Sequence, residues 1–189
     1  FVPCMFMGSS DLHPLWIGEL WDRVALTDLE SSVTAALQII EPRIERITLV
    51  GEEYAGRKRN VLVRVTGEER RVTLSSMGAG IYRLFGLALA LVNAKDGVLL
   101  LDEVENGFHY TVLPELWRLI LSTATDLNVQ VFATTHSWDC IEAFQIASAQ
   151  DEESENQLIR LEPHAAGIDT IVFNKDELAI VTRDQIEVR

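Results

Sequence analysis

Hydrophobic positions recur at intervals of three and four through Leu29, Val33, Ala36, Leu37 and Ile40, the spacing that lays one apolar stripe along an α-helix. The run that contains them, TDLESSVTAALQII, opens with Thr27 and Glu30 in the S/T-x-x-E relation of a capping box, and Pro42 follows as a stop. Ahead of it, LWIGELWDRVAL predicts a shorter helix within residues 11–26. The first eight residues, FVPCMFMG, are apolar with no period long enough to classify. From Ile44 the pattern changes to short β-branched or alternating runs: IERITLV, NVLVRV and RRVTL, separated by GEEYAGRKR and TGEE. These predict a small antiparallel meander, with Arg57, Lys58 and Arg59 in a solvated turn.

A second grammar begins near residue 75. AGIYRLFGLALALVNA places Leu84, Leu87, Ala88 and Leu91 on one helical face. GVLLLD is continuously apolar, as a strand covered on both faces is. TVLPELWRLILSTA predicts a helix with Leu113, Leu116, Trp117, Ile120 and Leu121 inward, and with Pro114 tolerable in its first turn. VQVFATT reads as another covered strand, and SWDCIEAFQIA as a helix capped by Ser137. Helix, strand, helix, strand, helix with short links is the alternation of a mainly parallel α/β sheet flanked by helices. After SAQDEESENQ, an acidic polar loop, come LIRLE, IDTIVF and a short helix from about Lys175 to Val181. The four tryptophans fall in amphipathic or apolar segments, which suits core or interface packing.

No repeat and no domain linker interrupts the 189 residues. The expected organisation is one partial domain: a helical segment over 1–43, antiparallel strands over 44–74 and an α/β core over 75–189. The apolar beginning, with Phe rather than Met first, suggests a chain cut from something longer.

Charge narrows the function classes. Sixteen Lys and Arg against 29 Asp and Glu leave a net charge of -13, which argues against broad non-specific attraction to nucleic acid or anionic membrane. Two cysteines, Cys4 and Cys140, are too few for a disulfide scaffold and lack zinc-site spacing, so a reducing, cytoplasmic compartment is expected. No charge-free apolar stretch reaches the roughly 18 residues of a membrane span.

The polar residues that interrupt this pattern gather where ligands bind a parallel sheet, outside the carboxyl ends of its strands. Asp102 and Glu103 end one strand, and His136 follows the next. Asp102 is a hard oxygen ligand suited to Mg²⁺. Glu103 is placed to orient or deprotonate a water attacking a phosphate, and His136 to hydrogen-bond a terminal phosphate oxygen. Each also has a plain reading, the two carboxylates as the start of a solvated loop and the histidine as a satisfied edge residue. LSSMGAG, opening the helix at Ala79, offers amides and hydroxyls to an anion, or is simply a flexible N-terminal turn. Glu105 and His109 extend a metal site with Asp102, or belong to a tight turn with Asn106 and Gly107.

In this order and at these spacings, LSSMGAGIYRL, GVLLLDEVENGFHY and VQVFATTHSWDCIEAF resemble the second half of ABC-type P-loop NTPases. The likeness is greatest to AAA-family proteins akin to the ATPase domain of the overcoming-lysogenization-defect proteins. It covers residues 74–145, and the tail from Leu158 to Arg189 is similar to the family as well. The resemblance implies an ABC-ATPase-like head domain that uses ATP and Mg²⁺. Ser76 and Gly78 match the signature that contacts the γ-phosphate of ATP held by the opposite subunit of a homodimer. Asp102 matches the Walker B aspartate on Mg²⁺, Glu103 the catalytic glutamate and His136 the switch histidine, while Glu105 to His109 match a segment that crosses the dimer interface.

Two departures stand out. Ala79 occupies a position commonly acidic in relatives, and no G-x-x-x-x-G-K-[ST] occurs, since Lys58, Lys95 and Lys175 are the only lysines. Triphosphate affinity is poor without that loop, so the expectation is an upstream P-loop lobe in the same protein and a chain inactive alone. Two rivals remain open: a non-hydrolysing binding or regulatory module, and a metal-dependent phosphatase or nuclease using Asp102, Glu105 and His109. Relatives of this architecture attach to nucleases, repair machines and defence systems, and fold does not choose among them.

Overall fold

The computed structural model describes residues 2–10, 14–51, 59–151, 155–164 and 167–185. Three sheets are present. The central one is parallel and built from β1 (Cys4–Met7), β5 (Val98–Leu101) and β6 (Gln130–Ala133), in the order β1-β5-β6. The second is an antiparallel meander of β2 (Ile44–Val50), β3 (Asn60–Val65) and β4 (Val72–Thr73). A hairpin of β7 (Leu158–His164) and β8 (Gly167–Phe173) is the third. The helices are α1 (Pro14–Val24), α2 (Leu29–Gln38), α3 (Ala79–Asn93), α4 (Leu113–Asp126), α5 (Trp138–Gln150) and α6 (Lys175–Arg183).

The apolar stretch without a readable period is therefore a strand of the central sheet, and the segment read as helical over 1–43 starts with it. Four residues are too few to show periodicity, and β1 is recognised only by its partner: Cys4 to Met7 align with Val98 to Leu101. Gly97 makes this pairing possible, because a Cβ there would stand 2.1 Å from the Pro3 carbonyl oxygen.

Helix α3 is buried almost all round, from Ile81 to Val92, and not along the single face its leucines suggested. It lies between β1 and the helices α1 and α2, and a helix covered on every side must be apolar on every side. One continuous set of buried side chains joins Ile47, Val63 and Val65 of the meander to Leu84 and Phe85 of α3, Leu99 and Leu101 of β5, and Leu116 and Ile120 of α4. A smaller cluster, Ile141, Leu178 and Val181, fixes α6 to α5.

Strand β6 departs from the expectation of a strand covered on both faces: Phe132 is 53% exposed, and Gln130 and Ala133 are exposed too. Among the described residues β5 is its one sheet neighbour, and none of them forms a strand along its second edge.

The local signals fared unequally. Ser137 caps α5, accepting from the Cys140 amide at 3.4 Å, and Pro114 sits in the first turn of α4. The Thr27/Glu30 box does not close. The Thr27 hydroxyl accepts from the Leu29 amide, and Glu30 Oε2 accepts from the Leu26 amide, one residue off the expected reciprocity. A capping box forms instead at α6, between Asn174 and Glu177. Arg59 pairs with Asp22 at 2.7 Å, whereas Arg57, Lys58 and part of the acidic loop (152–154) lie outside the described residues. Among the described residues no helix is long and apolar enough to cross a membrane.

Candidate functional site

The chemistry-bearing residues meet at the carboxyl end of the central sheet. The Asp102 amide donates to the Met7 carbonyl at 2.9 Å, which ties the first residue after β5 to the last of β1. On its other side the chain leaves β5 and β6 together: Thr134 N–H donates to the Leu101 carbonyl at 2.9 Å, and Val104 N–H to the Thr134 carbonyl at 3.1 Å. Thr134 then does two things with its hydroxyl. It donates to Oδ1 of Asp102 at 2.8 Å and accepts the Glu103 amide at 3.0 Å. Among the described residues only Oδ1 of Asp102, a half-buried residue, takes a side-chain hydrogen bond, which leaves Oδ2 available. That donor set suits a hard divalent cation.

Glu103 has a positive φ of 48°, a region that side chains other than glycine adopt at some cost. Arg83 holds it there. This arginine is only 5% exposed, and its guanidinium donates to the Glu103 carbonyl at 3.2 Å and to the Ser9 carbonyl at 3.0 Å, with longer contacts to Gly8. Asn106 Nδ2 donates to the same Ser9 carbonyl at 2.7 Å. A single buried cation on α3 thereby joins the exits of β1 and β5. The turn behind Glu103 approaches the start of α3 so closely that a Cβ on Gly80 would lie 2.9 Å from the Gly107 carbonyl oxygen. Gly107 itself has φ 79°.

His136 is exposed on the extended link between β6 and α5, and its backbone amide donates to Oε1 of Glu105 at 3.2 Å. Asp102, Glu103 and His136 are thus brought to one strand-end cluster. Ser76 and Gly78 are in the turn before α3: the Ser76 hydroxyl donates to the Thr73 carbonyl at 2.7 Å, and Gly78, at φ 114°, has open space where a Cβ would stand. Both are exposed, and neither is hydrogen-bonded to the strand-end cluster.

The three-residue metal alternative is not assembled. His109 Nδ1 is engaged with Thr111, its ring lies against Tyr110, and Glu105 is turned toward His136. Among the described residues no group of three His, Cys, Asp or Glu is arranged to hold a metal ion. Reading the sequence missed Thr134 and Arg83. Thr134 was visible as a hydroxyl two residues before the histidine, and Arg83 as a lone charge in an otherwise apolar helix.

Cys140, buried at the start of α5, has its thiol pushed up to about 11, chiefly by burial, with the nearby Glu105 carboxylate adding to the rise and hydrogen bonds from Thr135 and Trp117 opposing it. The Trp117 indole also donates to the Cys140 carbonyl at 3.2 Å.

A parallel sheet flanked by helices, with antiparallel sheets beside it, defines the α/β fold of P-loop NTPase heads of the SMC and ABC kind. Residues 10–139 match the family model described as "AAA domain, putative AbiEii toxin, Type IV TA system", and the chain belongs to this family of AAA-type ATPase domains. Among curated proteins it is 30% identical over 107 residues to an ATP/GTP phosphatase of Helicobacter pylori, an alignment spanning 52% of this chain and 28% of that protein. It is 35% identical over 83 residues to an uncharacterized protein of Methanocaldococcus jannaschii, covering 44% of this chain and 72% of that one. In fold it is similar to an SMC ATPase chain described for ATP-driven dimerization and DNA-stimulated activation, with TM-score 0.57, 10% identity and coverage of 93% and 98%. The SMC head domain from Thermotoga maritima gives TM-score 0.53 at 18% identity, covering 89% of this chain and 53% of that one.

Proposed function

We propose that this chain is the C-terminal portion of an ATPase head, resembling the overcoming-lysogenization-defect type in motif order, that hydrolyses ATP in a homodimer with nucleotide between two heads. The observation that carries the reading is the clasp of Thr134 on Asp102 and Glu103 beside His136, at the strand ends of a sheet of this family.

In this reading Asp102, steadied by Thr134, would hold Mg²⁺. The ion, when bound there, would supply charge neutralisation on the phosphate oxygens. Glu103, its main chain fixed by Arg83 and Thr134, orients the attacking water and takes its proton. His136 donates a hydrogen bond to a γ-phosphate oxygen. Ser76 and Gly78, with the first amides of α3, reach the γ-phosphate bound by the other head. The division into 1–43, 44–74 and 75–189 is proposed as three parts of one partial domain, acting in the cytoplasm.

The P-loop lobe is assigned to another part of the same protein. The second edge of β6 supports it: no strand among the described residues pairs with it, and such an edge in a parallel sheet presents a ready row of N–H and C=O groups to a further strand. A non-hydrolysing binding module is favoured by one observation, the lack of a phosphate-binding lysine loop in these residues.

The deciding experiment is ATP hydrolysis by the full-length protein over a range of protein concentrations, with Glu103→Gln alongside. The ATPase reading expects activity rising faster than linearly with protein and abolished by the substitution, with nucleotide binding retained. Turnover equal to that of Glu103→Gln at every concentration overturns it in favour of the binding module.

A further inference from the structure

Beyond Thr134 the two strand exits can no longer pair through backbone alone. Glu103, at φ 48°, ends the extended course of the chain leaving β5. Contacts nevertheless continue in step: Glu103 to Thr134, Val104 to Thr134, and then Glu105 to His136. The last is made by a side chain reaching where the backbone cannot. It is a charge-assisted hydrogen bond, stronger than a neutral one, and it places a negative group near the N-terminus of α5, where the helix dipole favours it. Its other oxygen, Oε2, is buried without a hydrogen-bond partner of the ordinary N–H or O–H kind, and the Cys140 thiol on α5 lies against the same carboxylate, so the side chain is enclosed between the histidine's main chain and the start of α5.

We infer that Glu105 is the positioning residue for His136: its carboxylate, carried on the turn that follows Glu103, holds the main chain that presents the histidine and so keeps the phosphate-facing residue in register with Asp102 and Glu103. The inference rests on the ATPase reading for what His136 does, and on geometry alone for what Glu105 holds.

The test uses the full-length protein with Glu105→Ala, Glu105→Gln, His136→Ala and the double alanine variant. Losing a hydrogen bond to a charged group slows kcat by roughly 10- to 100-fold in Glu105→Ala, while KM for ATP moves by less than about threefold. Glu105→Gln, which keeps the acceptor oxygen, recovers turnover to within about threefold of the parent. The double variant is no slower than His136→Ala, because both act through one group. Multiplying effects in the double variant, or unchanged kcat in Glu105→Ala, overturn the inference. A second readout needs no turnover. With ¹⁵N-histidine labelling, the His136 amide resonance, assigned by its loss in His136→Ala, shifts upfield and exchanges faster in Glu105→Ala but not in Glu105→Gln. An unmoved resonance overturns the inference even if the ATPase reading stands. A protein without turnover defeats that reading while the resonance still decides the contact.

Discussion

The Thr134 hydroxyl, 32 residues along the chain from Asp102, donates to its carboxylate at 2.8 Å and accepts the amide of the adjoining Glu103. Thr134→Val keeps the shape and removes both contacts, which frees Asp102 to rotate and leaves Glu103 without its side-chain acceptor. In the full-length protein we expect kcat to fall roughly tenfold and the Mg²⁺ concentration for half-maximal rate to rise, with Thr134→Ser close to the parent, as the net worth of one hydrogen bond to a charged group implies. Magnesium titrations of the steady-state rate check this.

Arg83 is a stability prediction. Its guanidinium serves carbonyls on both strand exits, so Arg83→Met leaves these part-buried acceptors unsatisfied and lowers stability by about 2–4 kcal/mol. Arg83→Lys does not rescue it, because an ammonium cannot span the same fork of acceptors. Urea unfolding of the variants measures the difference.

Gly97 and Gly67 form a matched pair. A Cβ at Gly97 meets the Pro3 carbonyl at 2.1 Å, whereas at Gly67, φ 87°, nothing lies within 4 Å. Gly97→Ala forces β1 off β5 and costs about 3 kcal/mol or more, while Gly67→Ala costs only left-handed strain of about 1 kcal/mol. Thermal unfolding separates them.

Cys140 sets an alkaline limit. Its thiol is raised from 9.0 to about 11 in the folded chain, so between those values the folded state holds a proton that the unfolded state has released. Stability attributable to this group is full below pH 9 and declines as pH climbs toward 11, by on the order of 2 kcal/mol in total. Denaturant midpoints at pH 8 and pH 10.5 should differ less in Cys140→Ala than in the parent. At pH 8 iodoacetamide should label the exposed Cys4 and spare Cys140.

Much of the architecture was legible because it rests on local repetition. The stripe of α2, the alternation in the meander and the apolar run of β5 are each decided by which face of an element meets the core, and a few consecutive residues record that. Asp102, Glu103 and His136 could be singled out for the same reason: they interrupt the apolar pattern at strand ends. The cap at Thr27 failed because α2 begins at Leu29 with Asp28 in the N-cap position, which leaves Thr27 one residue too early for the box.

What the residues determined alone was periodicity, and with it the elements and the places where polar groups leave the core. Tertiary structure decided the pairings: β1 beside β5, Thr134 on Asp102, Arg83 across two loops, Glu105 on His136. Such contacts join positions tens of residues apart, and they depend on how strands are ordered in a sheet and how turns return the chain. A carboxylate in a sequence carries no mark of which distant amide it will meet, because that choice belongs to the packed sheet as a whole.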